Sequence, residues 1–413
     1  MKRIGILYSY ELKKIASRKI VWIVGIIMIL LCAFLSFSDL ISSNYYGEDE
    51  VSGYEAMKIN REYARRFAGR KVDDTLLREM QDSLSKENVG ESKSNDSISK
   101  GQISITTDES QEDEIGNGIM EYTPIYSYVR EITEDNNLAL EIDSNELYKV
   151  REKLILQNRT DQMLTEKEMG YWEEKGKQIE TPFTYEYTEG WSNLFNYMYT
   201  VNYMILLMLA ICLSNVFSVE YLRKTDAIIL CSQFGKKHLY WAKVLAGITF
   251  GVITAILFLG TTVISSICVY GSDGLDAALQ IAFPLSSWNI SIGKSVLILL
   301  AALLIISVLY SIVIMVLSEV LKNSVAVMAI PVGIMILTMM IDIPYQFRTA
   351  SQIYDLLPTN LLAVWELWDD RLVSLFGKYL TNFQIAPITY LVIIILLIFV
   401  GKRIYQKYQI GAR

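Results

Sequence analysis

The sequence is poor in the residues that most catalytic and metal sites need. Among its 413 residues it has one histidine, His238, and four cysteines. A single histidine excludes a zinc site of the H-E-x-x-H type, which needs two. It also excludes a Ser-His-Asp triad within residues 39–196, because His238 lies outside that segment. The cysteines are Cys32, Cys212, Cys231 and Cys268, so residues 39–196 must fold without disulfide bonds or a cysteine metal cluster.

Charged residues are absent from six long stretches of the chain: 20–38, 190–219, 244–272, 295–318, 323–341 and 379–401. Roughly 20 apolar residues cross the hydrocarbon core of a bilayer. One such stretch fits a buried helix of a soluble protein, but six in one chain have no plausible packing in water. We therefore predict an all-α polytopic membrane protein with six transmembrane helices and a large, mainly α-helical extracytoplasmic insertion between helices 1 and 2. The predicted spans are 20–38, 197–219, 244–268, 295–318, 323–341 and 379–401, the first of them uncleaved.

The charges that are present are distributed unequally along the chain. Residues 41–200 hold 18 basic and 33 acidic residues, which leaves 20 basic and 12 acidic residues elsewhere. Sixteen basic residues flank the spans on one side of the predicted membrane, and four lie in the short loops on the other side. Because basic loops stay in the cytoplasm, we predict a multi-pass protein with both termini cytoplasmic. We expect the membrane to be a bacterial cytoplasmic membrane. The acidic segment then faces outward.

The segments outside the spans have distinct patterns. Residues 1–19 alternate apolar and basic residues at helical spacing, which predicts a cytoplasmic amphipathic interfacial helix. Residues 39–196 form the extracytoplasmic domain, with a polar stretch, 85–118, predicted to be disordered. Within this domain, Thr165 and Glu168 form a capping-box pattern. The outer loop, 342–378, is predicted to hold re-entrant or interfacial segments, and 402–413 is a cytoplasmic tail.

A nucleotide-binding loop is absent, which bears on the source of energy for any transport. Gly293-Lys294-Ser295 resembles the end of a phosphate loop, but Trp288 stands where the first glycine is required. The chain is therefore not predicted to be an enzyme. The predicted spans also lack Asp, Glu, His, Lys and Arg, and Glu220 and Glu319 are expected at span ends within reach of water. Ion-coupled transporters usually carry such groups inside the bilayer, which disfavours a secondary transporter without excluding it.

The loop after the second span, 220–243, has the most specific pattern. It contains Glu220, Thr225-Asp226, Gly235-Lys236-Lys237-His238-Leu239 and Ala242-Lys243. This arrangement resembles the cytoplasmic loop of ABC-2 type transporter permeases, in which a glutamate, a Thr-acidic pair, a basic turn and an Ala-Lys pair follow in this order. The amphipathic first helix, the insertion after span one and the six spans suit the same family.

The resemblance implies the permease subunit of an ATP-binding cassette exporter. ATP and magnesium are then held by a separate ATP-binding subunit, and this chain binds no cofactor. The expected partners are that subunit, an identical or sister permease and the lipid bilayer, with no nucleic acid. The expected coupling residues are Glu220, Arg223, Thr225, Asp226, Gly235, Lys236, Lys237 and Lys243, with Arg223 pairing with Glu220. The alternatives are a membrane-anchored sensor or interaction protein with a large external domain, and a secondary transporter.

Overall fold

The computed structural model describes residues 2–38, 40–41, 43–46, 49–91, 117–134, 136–225 and 237–407. Within these residues, five helical segments are long and apolar enough to cross a membrane. They are α2 (Lys19–Ser38), α9 with α10 (Glu189–Leu213 and Asn215–Leu222), α11 (His238–Tyr270), α13 (Ile292–Leu321) and α16 (Asn382–Lys407). Each exceeds the lower limit of length for a spanning helix. The described chain is mostly helical, as predicted.

The sixth predicted span, 323–341, is a shorter helix. Helix α14 (Ser324–Met340) has 17 residues and contains Pro331. The side chain of Asn323 caps it by accepting a hydrogen bond from the N–H of Val325 at 3.0 Å. At a rise of 1.5 Å per residue, the helix is about 25 Å long, which is near the lower limit for a span.

Helices α11 and α13 form the centre of the bundle. Helix α11 packs against α1 (Lys2–Ala16), α2, α9 and α13, and α13 also packs against α9, α14 and α16. Two glycines allow α11 to approach α13 closely. A Cβ on Gly247 would lie 2.2 Å from Met315 Sδ, and one on Gly251 would lie 2.1 Å from Ser311 Oγ. Small residues of this kind are typical of contacts between membrane helices.

The second span is interrupted, because Ser214 separates α9 from α10. Ser318 of α13 stabilises this break. Its Oγ accepts hydrogen bonds from the N–H groups of Phe217 at 3.2 Å and Ser218 at 3.1 Å, and it donates to Ser214 O at 2.6 Å. A side chain inserted into a helical hydrogen-bond ladder is a known cause of a kink. The first turn of α10 is therefore fixed to α13 by Ser318.

The amino-terminal segment, 1–19, contains helix α1, and α1 lies along α11. Ile15 is buried in the bundle core, and the hydroxyl of Tyr8 donates to Thr249 Oγ1 over 3.1 Å. The apolar side of the predicted amphipathic helix thus packs against protein.

Large apolar side chains cover the outside of the bundle. Trp22, Ile23 and Leu30 on α2, and Leu391 and Leu396 on α16, are each half exposed or more. Soluble monomers rarely expose so many large apolar side chains along the same helices. Together with the length of the helices, these surfaces indicate a membrane protein.

A domain between α2 and α9 spans residues 43–188. Its elements are the hairpin β1 (Ser43–Tyr46) and β2 (Asp49–Ser52), then α3 (Gly53–Phe67), α4 (Asp74–Glu91), α5 (Asn117–Thr133), α6 (Asn136–Glu141), α7 (Ser144–Asp161) and α8 (Glu166–Gly176). Its core contains Val72, Leu76, Leu77, Met80, Ile125, Val129, Ile132 and Leu147. Ile281, outside the domain, joins this core, whereas Trp172 of α8 belongs to the core of the bundle. The domain therefore has a hydrophobic interior that also packs against the bundle.

The segment predicted to be disordered, 85–118, is helical at both edges. Helix α4 continues to Glu91, and α5 begins at Asn117. Lys86 and Glu87 are polar, but lysine and glutamate favour helix. A prediction from polar composition alone therefore began the disordered segment too early, at residue 85. Residues 92–116 lie outside the described part of the chain.

Two loops cover the bundle where the domain packs. The first follows α11 and contains α12 (Leu279–Ala282). The second follows α14 and contains a 3-10 turn (Tyr345–Phe347), α15 (Arg348–Asp355), another 3-10 turn (Val364–Leu367) and the hairpin β3 (Val373–Leu375) and β4 (Lys378–Leu380). We call this end of the bundle the domain end, and the opposite end, where α1 lies, the α1 end.

Candidate functional site

Four charged side chains meet at the α1 end: Glu11, Lys14, Glu220 and Lys243, which we call the α1-end ion cluster. Lys243 is fully buried near the start of α11. Its Nζ lies 2.7 Å from Glu220 Oε1 and 3.0 Å from Glu11 Oε2, and it donates to the carbonyl oxygen of Val216 at 2.9 Å. A buried ammonium is stable only when it is paired and hydrogen-bonded in this way. Lys243 therefore joins α1, α10 and α11 at one point.

Lys14 balances the charge of this cluster. Its Nζ lies 3.1 Å from Glu220 Oε1 and 3.6 Å from Glu11 Oε2. Burial alone would lower the pKa of Lys14, but the carboxylates of Glu220 and Glu11 outweigh it and raise the pKa above its ordinary value. Two carboxylates and two ammonium groups leave no net charge. Removal of one member would leave another buried without its full partner, which is strongly destabilising.

The structure brings only some of the predicted coupling residues together. Glu220 and Lys243 are in the cluster, and the N–H of Thr225 donates to Glu220 O at 3.0 Å. Arg223 and Lys237 are exposed. The remaining predicted residues, Asp226, Gly235 and Lys236, lie outside the described residues.

Two expectations about carboxylates need correction. Glu220 pairs with Lys243 and Lys14 rather than with Arg223, because helix packing places α1 and α11 beside it. Glu220 and Glu319 were also expected within reach of water, yet they are only 8% and 6% exposed. The helices extend past the uncharged stretches and pack against one another at both positions. Charge-free runs in the sequence give no information about this packing.

The domain end is held by a second set of polar contacts, centred on Glu168 of α8. Glu168 Oε2 accepts a hydrogen bond from the N–H of Thr165 at 2.8 Å, as the predicted capping box requires, and a second from the hydroxyl of Thr165 at 2.6 Å. Glu168 Oε1 accepts from the N–H of Leu372 at 2.8 Å and forms an ion pair with Arg348. One carboxylate thus caps α8 and fixes the loop after α14 to the domain.

Arginines of α7 extend this attachment. Arg159 Nε donates to Asp370 Oδ2 at 2.6 Å and Arg159 Nη2 to Ser287 Oγ at 3.0 Å. Arg151 is buried and donates to the carbonyl oxygens of Pro284 at 2.6 Å and Ser286 at 3.0 Å. These contacts join the domain to both covering loops.

A group of three buried carboxylates lies inside the loop after α14: Asp355, Glu366 and Asp369, which we call the carboxylate triad. One oxygen from each lies within 4.8 Å of the others. Arg371 donates to Asp369 Oδ1 through Nε at 3.0 Å and to Asp369 Oδ2 through Nη2 at 2.7 Å, and it also pairs with Asp355. The amide Nδ2 of Asn382 donates to Glu366 Oε2 at 2.9 Å and to Asp369 Oδ2 at 3.3 Å.

Burial makes the ionised form of this group costly. Burial raises the pKa of Asp355 to about 6, although Arg371 acts against this effect. Burial first, and then the charges of Asp369 and Asp355, raise the pKa of Glu366 well above its usual range. A cavity of about 330 Å³ lies beside the triad, and its lining includes Asp355, Ser351, Tyr345 and Trp365.

Sequence reasoning did not identify the carboxylate triad. The sequence predicts re-entrant or interfacial segments in this loop and no carboxylate site. The available signal was the density of charge in an otherwise apolar stretch, because Glu366, Asp369, Asp370 and Arg371 fall within six residues. Asp355 and Asn382 lie too far away in sequence to be included by spacing.

Comparison with known proteins gave no relative. No family model, no curated protein and no solved structure matches the chain.

Proposed function

We propose that this chain is the membrane-spanning permease subunit of an ATP-binding cassette exporter of the ABC-2 type. A separate subunit hydrolyses ATP, and the permease moves a substrate outward. One observation carries the proposal. The loop that resembles that family begins at Glu220 and ends at Lys243, and these two residues form a buried ion pair of 2.7 Å that also includes Glu11 of α1.

The pair offers a route by which movement of the loop reaches the bundle. A partner that displaces the loop acts on α10 through Glu220 and on α11 through Lys243. Glu11 passes the same displacement to α1. The break at Ser214 allows α10 to change its angle to α9. Small rigid shifts of packed helices are a common element of transport cycles.

The finer arrangement follows from the charge distribution. In this proposal α14 serves as the sixth span, both termini lie in the cytoplasm of a bacterial cell, and the 43–188 domain faces outward. The bias of basic residues toward one side supports this orientation. Two permeases, identical or sister chains, enclose the pathway and bind two ATP-binding subunits.

Purification of the tagged chain from its native membrane in mild detergent tests the assembly. We expect an ATP-binding subunit to co-purify, identified by mass spectrometry, and the complex to hydrolyse ATP. The chain alone should show no turnover, because it lacks a phosphate loop. ATP hydrolysis by the isolated chain, or purification without any ATP-binding subunit, would contradict the proposal.

The variant Glu220→Gln tests the coupling role. It keeps the side-chain shape but removes one of the two carboxylates that hold Lys243. We expect the complex to assemble, and the stimulation of its ATPase by the permease in nanodiscs to fall about fivefold or more. Glu62→Gln, which changes an exposed carboxylate of the domain, is the control and should leave stimulation unchanged. Normal stimulation in Glu220→Gln would remove the cluster from the coupling route.

A second candidate function, secondary transport, rests on Glu319 of α13. This side chain is buried, and neither of its carboxylate oxygens has a hydrogen-bond partner among the described residues. Buried carboxylates in membrane helices are frequent in ion-coupled transporters. The co-purification experiment separates the two candidates, since a secondary transporter needs no ATP-binding subunit.

A further inference from the structure

The carboxylate triad has more negative charge than its protein partners neutralise. It contains three carboxylates, and Arg371 supplies one positive charge, which leaves a balance of −2 if all are ionised. Asp355, Glu366 and Asp369 are 7%, 1% and 6% exposed. Buried charges of this kind require a counter-charge, because water does not solvate them.

The hydrogen bonds show where the counter-charge is missing. Arg371 donates to Asp369, Asp355 and Ser351, whereas Glu366 Oε2 accepts from the neutral amide of Asn382. Within the described residues, Glu366 Oε1 has no hydrogen-bond partner. Glu366 is thus the most deeply buried carboxylate of the triad and the one without a direct ion pair to Arg371.

Asn382 adds an independent feature. It is 4% exposed, and its amide contacts both Glu366 and Asp369, yet its Oδ1 has no hydrogen-bond partner among the residues that the structure describes. The oxygen and nitrogen of an amide are assigned from their hydrogen bonds. A flip of this amide would direct Oδ1 toward the two carboxylates, which is favourable only if a cation lies between them.

We propose that Asp355, Glu366 and Asp369, with the amide oxygen of Asn382, bind one calcium ion. A charge of +2 balances the residual −2. Ligand oxygens around one Ca²⁺ lie at about 2.3–2.6 Å from it, so oxygens within 4.8 Å of one another suit a single ion. Calcium is favoured over magnesium because Mg²⁺ retains several waters and the triad is nearly dry. The cavity that Asp355 lines gives the ion a path and provides space for any water ligand.

The site would fasten three separate elements. Asp355 ends α15, Glu366 and Asp369 lie in and after the second 3-10 turn, and Asn382 begins α16. The ion would therefore fix the loop after α14 onto the start of the last long helix. This role does not depend on the proposed export function.

Terbium luminescence tests the proposal, because Tb³⁺ replaces Ca²⁺ on oxygen ligands and is excited by nearby aromatic rings. Trp365 adjoins Glu366 in sequence, and the ring centroid of Tyr345 is 4.4 Å from the Arg371 guanidinium. The full chain in detergent is treated with EGTA and titrated with Tb³⁺, and then with Ca²⁺ or Mg²⁺. We expect saturable luminescence that Ca²⁺ displaces at lower concentration than Mg²⁺.

Glu366→Gln should weaken Tb³⁺ binding by about tenfold or more, while Glu173→Gln, an exposed carboxylate of α8, should bind as the wild type does. Added Ca²⁺ should also raise the Tm of the wild-type chain, which decides the matter if Glu366→Gln does not fold. No saturable luminescence and no Ca²⁺-dependent rise in Tm, or Glu366→Gln with unchanged affinity, would overturn the proposal. In that case, protonation of Glu366, rather than a bound cation, would reduce the negative charge of the triad.

Discussion

Glu168 performs two structural tasks with one carboxylate. It caps α8 through Thr165, and it holds Arg348 and the N–H of Leu372 from the loop after α14. Burial alone would raise the pKa of Glu168, but the hydrogen bonds from Thr165, Leu372 and Arg348 outweigh it and hold the pKa below its usual range. The folded protein therefore favours the ionised form of this residue.

This shift predicts a pH-dependent effect of Glu168→Gln. Since the folded pKa is depressed, the stabilisation is present above the unfolded pKa of about 4.3 and is lost as pH falls through the folded value. At pH 7 we expect the variant to be less stable by about 1–3 kcal/mol. The difference in Tm from the wild type should shrink below about pH 4.3, as measured by thermal unfolding in detergent.

Glu166→Gln is the matched control, because Glu166 is exposed in the same turn of α8. Its Tm should follow that of the wild type at each pH. A Tm difference for Glu168→Gln that stays constant from neutral to acidic pH would show that the charge of Glu168 is not what stabilises the loop.

At the scale of elements, the sequence predicts helices well and their partners poorly. The first span was predicted at 20–38, and the structure has helix α2 at Lys19–Ser38, because a charge-free apolar run favours one uninterrupted helix. The second was predicted to start at 197, yet α9 starts at Glu189, since Trp191, Leu194 and Phe195 of its first turns are buried against protein. The capping box of Thr165 and Glu168 was readable because all of its atoms lie within one turn.

Contacts between distant elements were beyond sequence reasoning. Glu11 and Lys243 are separated by 232 positions, and Glu168 and Arg348 by 180. Periodicity shows which face of a helix is apolar, but it does not show which helix covers that face. The sequence therefore identified Glu220 and Lys243 of the α1-end ion cluster without pairing them, and it identified no residue of the carboxylate triad.

The close contact between α11 and α13 predicts a position-specific effect of added volume. Gly251→Ala should destabilise the bundle by about 1–3 kcal/mol, because its Cβ would meet Ser311 Oγ and lie 3.1 Å from the backbone oxygen of Ser307. Gly260→Ala on the same helix meets no atom within 4 Å and should be neutral or slightly stabilising. Thermal unfolding in one detergent measures both. Equal Tm values for the two variants would mean that the helices are not in tight contact there.

At the scale of the whole molecule, the proposed orientation predicts which surfaces meet the outside. In a chain whose four cysteines are replaced by serine, a cysteine at Glu173 should react with an impermeant maleimide on intact cells. A cysteine at Lys237, which is exposed at the α1 end, should react only after lysis. The cysteine-free chain gives the background. Labelling at position 237 on intact cells would reverse the orientation and remove the loop from contact with a cytoplasmic ATPase.

The attachment of the domain by Arg159 also has a consequence for the order of events during synthesis. Its acceptor, Asp370, lies 211 residues later in the chain. At about 5–20 residues per second, Arg159 is synthesised roughly 10–40 s before Asp370. During this time the domain between α2 and α9 cannot form the contact of Arg159 with Asp370, because the loop after α14 has not yet been synthesised. A quality-control factor that recognises unfinished chains would be able to bind this surface during that interval.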